Sequence, residues 1–194
     1  MSEIVRNYTT LETEKAVLTG FSKIVNQDTF GGQPSGYKLD LLLEANDPLV
    51  LAIKAAHEDN LQFESMKGKG TEAKLGAPIK VPASTYPNVA DLKDPVVVTM
   101  KTQVKPAVFN RAGDSQELTQ EINLGSKVNV RLMAASYNFG GRIGTSLYLN
   151  ELQVVAQSAE TASAAKGFKP VDGVEKASID QIFEEAQADE NIRF

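Results

Sequence analysis

Cysteine is absent from this sequence and histidine occurs once, at position 57. The first absence excludes disulfides and thiolate metal sites, and the second leaves too little imidazole for a metal or catalytic centre. His57 itself reads as a polar or partly packed helix residue. With no Ser–His pairing and no ligand spacing, no catalytic residue, metal or cofactor is expected, and carboxylate-only chemistry is the one enzymatic class left open. Two short glycine runs fail on context. Gly140-Gly141-Arg142-Ile143-Gly144 joins two strands where a dinucleotide fingerprint needs a following helix, and Gly68-Lys69-Gly70 lacks the rest of a P-loop. Long apolar runs are missing too: none approaches the roughly 20 residues of a membrane span, and Met1–Thr10 has no signal-peptide core. A cytoplasmic protein is therefore expected.

What is present is an ordinary soluble composition, 42% hydrophobic and 23% charged, over 194 residues, enough for one well-buried domain with appendages. The net charge of −5 is unevenly placed. Val171–Phe194 holds seven acids against Lys176 and Arg193, which accounts for all of it and leaves 18 bases and 18 acids in the remainder. An acidic total therefore does not argue against an anionic partner for the body.

Residues 1–14 are polar and read as an irregular arm. A first strand is expected in Ala16–Val25, where Phe21 reads as core. In Tyr37–Ala45, Tyr37, Leu39, Leu41 and Leu43 alternate with Lys38, Asp40 and Glu44, the pattern of a half-buried strand. Asp47-Pro48 is a helix start, with Asp47 as N-cap and Pro48 in the first turn, and Leu49, Ile53 and Ala56 carry the helix to about Glu64. Met66–Asn88 is rich in Gly, Pro and Lys without periodicity, which predicts a long loop made basic by Lys67, Lys69, Lys74 and Lys80. Val96, Val98, Met100 and Val104 then mark another strand face, opposite Lys101, Gln103 and Lys105, up to Pro106.

The most patterned stretch is Val128–Val155. Val128, Val130, Leu132 and Ala134 fall on one face of a strand, and Asn129, Arg131, Met133 and Tyr137 on the other. The second arm carries Leu147 and Leu149, then Leu152 and Val154. This change of parity predicts a bulge near Asn150-Glu151. Residues 15–156 thus form one domain, followed by an Ala/Ser-rich linker over 157–170 and an acidic tail over 171–194. Residues alone specify a small mixed β barrel or sandwich with one inserted helix. The run Ser136-Tyr-Asn-Phe139, the Gly-rich turn and Gly144–Val155 resembles the last hairpin of a family of bacteriophage single-stranded DNA-binding proteins, and the resemblance extends from about Ser35 to the acidic carboxyl end. It implies a mainly β, five-stranded OB-fold Greek-key barrel with one inserted helix and a flexible acidic C-terminal tail. It also implies a non-enzymatic protein that coats single-stranded DNA in phage replication, recombination or repair, in the host cytoplasm.

Single-strand binders need cations for phosphates and rings on which bases stack. The candidates are Tyr37 with Lys38; Lys67 and Lys69; Lys101, Lys105, Phe109 and Arg111; and Arg131 with Tyr137, Phe139 and Arg142. Phe109 and Tyr148 also suit a core. In the tail, Ile179, Ile182, Phe183 and Ala186 form an apolar stripe after a capping box at Ser178. By resemblance, Phe183, Glu184, Glu185, Asp189, Glu190 and Phe194 would meet replication or recombination proteins and compete with DNA. Two other readings stand beside this one: an interaction module acting through its tail, and an RNA-binding OB domain. Whether the chain is a monomer or a homodimer is left open.

Overall fold

The computed structural model describes residues 6–67, 71–72, 79–80, 86 and 91–158. Five long strands carry the core: β2 (Val17–Phe30), β3 (Gln33–Glu44), β6 (Pro95–Thr102), β8 (Lys127–Phe139) and β9 (Arg142–Ala156). They answer to the five expected from the sequence, and their inward positions bury Leu39, Leu41, Val98, Met100, Val128, Leu132 and Leu152 together. The ladder runs β9-β8-β2-β3-β6. Its end strands β6 and β9 approach one another without a ladder between them among the described residues, so the sheet curls toward closure while staying open.

Four short strands were not legible in the alternation. β1 (Tyr8–Glu12) pairs with β8 beside β2, β4 (Thr71–Glu72) and β7 (Ala107–Phe109) pair with β9, and β5 (Ile79–Lys80) extends β6. Their two to five residues are too few to show a period. β1 corrects the expected irregular arm: Tyr-Thr-Thr-Leu-Glu is mostly polar, but its backbone is satisfied along β8 from Ala135 to Arg131. β4 and β5 likewise give two ladder segments to the stretch expected to be a long loop. Val104, expected in line with Met100, lies past the end of β6 and is exposed.

The helix α1 (Pro48–Met66) begins where expected, with the Asp47 carboxylate accepting from the backbone N–H of Leu49 at 2.9 Å. It buries Leu49, Val50, Ile53 and Ala56. His57 is packed, its Nδ1 3.0 Å from Thr145 Oγ1. The bulge also falls where parity put it: Arg131 opposes Glu151 and Leu132 opposes Leu149, so Asn150 is the extra residue.

Candidate nucleic-acid interface

Directly opposed residues on neighbouring strands share a face of the sheet. Lys23 of β2 opposes Lys38 of β3, and Lys38 opposes Lys101 of β6. Three lysines thus form a row across three strands, about 10 Å long at the usual strand spacing. Lys80 opposes Val97 and stands on the same outer face. Like charges set opposite each other repel. Among the described residues one carboxylate forms an ion pair with this row, Asp40, whose Oδ2 is 3.3 Å from Lys38 Nζ.

An aromatic pair lies beside the row. Phe21 is 45% exposed, and its ring meets that of Tyr86 at 5.1 Å between centroids and 56°. Phe21 was expected in the core. It turns outward because Thr19 opposes Leu41 while Ser22 opposes Leu39, so a bulge of Gly20 and Phe21 interrupts the alternation. The Tyr86 hydroxyl donates to Asp40 Oδ2 at 3.1 Å. Burial and the adjacent Asp40 charge push its ionisation well above the ordinary tyrosine range, so it remains a donor. Gly20 permits this close packing: a Cβ there would stand 2.7 Å from Tyr86 Cε1 and 2.9 Å from Asp40 Cβ. Asp40 is buried, and its Oδ1 has no hydrogen-bond partner among the described residues.

The expected site residues fall into separate groups. Lys38 and Lys101 stand in the row. Tyr37 is half-buried opposite Thr102, on the inward side of the same strands. Lys105 and Arg111 are exposed beyond β6 and β7. Arg131 lies on an outward position as expected, but its guanidinium is held by Glu151 at 2.7 Å and Glu12 at 3.3 Å. Phe109, half-buried, lines the same depression as Arg131. Tyr137, Phe139 and Lys67 border another cavity, with Arg142 opposite Phe139 at the hairpin tip. Lys67 is 3.3 Å from Glu64 and sits 4.1 Å over the Phe63 ring. Lys69, Lys74, Phe183, Glu184, Glu185, Asp189, Glu190 and Phe194 lie outside the described residues.

Lys23, Phe21 and Tyr86 were not among the candidates expected from the sequence. Their signal is in the pairing register and in the bulge, neither of which sequence spacing displays. Among the described residues there is no cluster of acids and histidine able to hold a metal, and no helix long and apolar enough to cross a membrane.

The class these elements define is a mainly β OB-fold with one inserted helix. No family model matches the sequence, and no curated protein matches it. Solved structures do share the fold. The single-stranded DNA-binding protein from bacteriophage Enc34, in complex with ssDNA, is 16% identical, with 79% of this chain and 88% of that chain covered and a TM-score of 0.57. The protein gp2.5, a single-stranded DNA binding protein encoded by bacteriophage T7, is also 16% identical, with 87% and 98% covered and a TM-score of 0.53. At such identities the likeness establishes the fold, and these structures come from the kind of phage protein that the last hairpin resembles.

Proposed function

We propose that this protein binds single-stranded DNA without catalysis, coating exposed strands in phage replication, recombination or repair. The observation that carries the reading is the Lys23–Lys38–Lys101 row beside the Phe21–Tyr86 pair. A row of mutually repelling ammonium groups is relieved by a polyanion, and the exposed Phe21 ring beside it, packed on the half-buried Tyr86, accepts a base whatever its identity, at about 1 to 3 kcal/mol per stacked base. The fold held in common with two phage single-strand binders supports it. The acidic residues 171–194, with Phe183 and Phe194, are assigned to replication or recombination partners.

The test is fluorescence anisotropy of a labelled oligothymidylate titrated with protein over a range of salt. Each phosphate neutralised contributes a slope of about −0.7 to log K against log[salt] on single strands. The Lys38→Ala, Lys101→Ala double variant is expected to weaken binding and make the slope shallower by about 1.4. Unchanged affinity and slope would remove the lysine row from the binding surface. Matched RNA and duplex in the same titration separate a DNA binder from an RNA-binding domain.

A further inference from the structure

A second hollow where rings and cations meet lies between the carboxyl end of α1 and the outer side of the β8–β9 hairpin. It has a volume of about 420 Å³, and its walls include Arg6, Lys67, Tyr137, Phe139 and Tyr148. An adjoining depression of about 270 Å³ shares Arg6 and Tyr148 and adds Tyr8 and Met133. The two make one trough. Its floor follows from the register: Met133 opposes Tyr148, and Tyr137 opposes Gly144 on the outward face. Gly144 lets the Tyr137 ring lie down on the sheet, since a Cβ there would stand 2.7 Å from the hydroxyl oxygen. Phe139 and Tyr8 are 84% and 65% exposed at the rim. The acid in the wall is already engaged, as Glu64 accepts from Ser136 Oγ at 2.6 Å and pairs with Lys67 at 3.3 Å. Arg6 is exposed, with no ion pair among the described residues.

We propose that this trough is a second nucleotide-binding site, which takes a base and phosphate of the same single strand after it leaves the lysine row. The volume lies within the range of about 300 to 1,000 Å³ typical of small-ligand sites. The tyrosine and phenylalanine rings offer π faces to a base, and Arg6 offers a forked donor to a phosphate. An apolar peptide would leave the Arg6 charge without a partner at its contact. Continuity of the surface supports one strand serving both places. Leu18 opposes Leu42 of β3 on one side and Lys127 of β8 on the other, so the outer face of β3 runs through β2 into the outer face of β8.

The inference rests on the lysine row being the primary single-strand site, and oligonucleotide length separates the two. A strand of about 6 nucleotides is short enough to occupy the row alone, whereas one of about 16, the upper end of site sizes for a single OB-fold, can reach both. The Arg6→Ala, Tyr148→Leu variant is expected to bind the long oligothymidylate about tenfold more weakly, the loss of about one stacking interaction. Its affinity for the short one should match the parent, with an unchanged melting temperature. Lys38→Ala, Lys101→Ala should weaken both. If the trough variant binds the long strand like the parent, or loses both lengths equally, the trough is not a second site. If instead the lysine variant binds both lengths normally while the trough variant loses the long one, the lysine reading fails and the trough stands as a binding site in its own right.

Discussion

Two sets of cationic side chains occupy the outer side of one sheet, and they differ in what faces them. Lys23, Lys38 and Lys101 oppose one another across three strands, with Asp40 paired to Lys38. Arg131 opposes Glu12 on β1 and Glu151 on β9, and its guanidinium reaches both. The first arrangement leaves positive charge for a ligand, and the second consumes it in joining three strands. A cation on an outward strand position is thus left available to an anion or spent as a staple according to its cross-strand neighbours, and the charge of the strand itself does not decide.

The sharpest way to break this comparison is to reverse the row. Lys38→Glu with Lys101→Glu should lower single-strand affinity at low salt by more than about a hundredfold, since two favourable phosphate contacts become repulsive, and the loss should shrink as salt screens it. A salt-independent loss would point instead to misfolding, which a melting curve would show. Next in size is Gly20→Val, whose side chain cannot share space with Tyr86 and Asp40. Displacing the aromatic pair should cost about tenfold in affinity, roughly one stacked base, while the slope of log K against log[salt] stays at the parental value. A changed slope would mean that the lysines, rather than the rings, had moved.

Asp40→Asn sharpens the comparison from the other side. The amide side chain retains an oxygen for the Tyr86 hydroxyl, while the negative charge 3.3 Å from Lys38 is removed. Single strands should bind several-fold more tightly, an effect on the order of 1 kcal/mol for removing a negative charge that acts on the phosphates through water-like screening. Weaker binding in anisotropy titrations would show that Asp40 serves chiefly to hold Lys38 and Tyr86 in place.

The difference between what could and could not be read from the sequence follows the same line. Alternation exposed β3, β6, β8 and β9, because one buried face imposes a period of two over many residues. The parity break at Asn150 was legible because both flanking halves were long and apolar. At Gly20-Phe21 the same kind of bulge was hidden, since Thr19 and Ser22 on either side are polar and no parity could be followed through them. Lys38 and Lys101 were legible as outward cations, but their alignment with Lys23 belongs to the register of three strands brought together from distant parts of the chain. Arg131 was read correctly as outward. Its neutralisation was invisible because Glu12 lies in a segment too polar and too short to read as a strand.

The smallest expected effect belongs to Arg131. Its bonds to Glu151 and Glu12 are solvent-exposed, the three side chains being 48%, 41% and 66% accessible, and exposed ion pairs contribute about 0 to 1 kcal/mol. Arg131→Gln removes both pairs and leaves two carboxylates near one another without a counter-charge, a repulsion of the same small size in a water-like dielectric. For a domain of this length a loss of about 1 kcal/mol lowers Tm by roughly 2 to 4 °C, and the shift should narrow as salt is raised. Because a guanidinium held by two carboxylates has little net charge to offer a phosphate, affinity for oligothymidylate and its salt slope should stay at the parental values. The competing outcome is equally definite. If Arg131→Gln flattens the salt slope by about 0.7, the value for one phosphate on a single strand, and leaves Tm unmoved, then DNA displaces Glu12 and Glu151 from Arg131. The two sets of cations would then be parts of one surface.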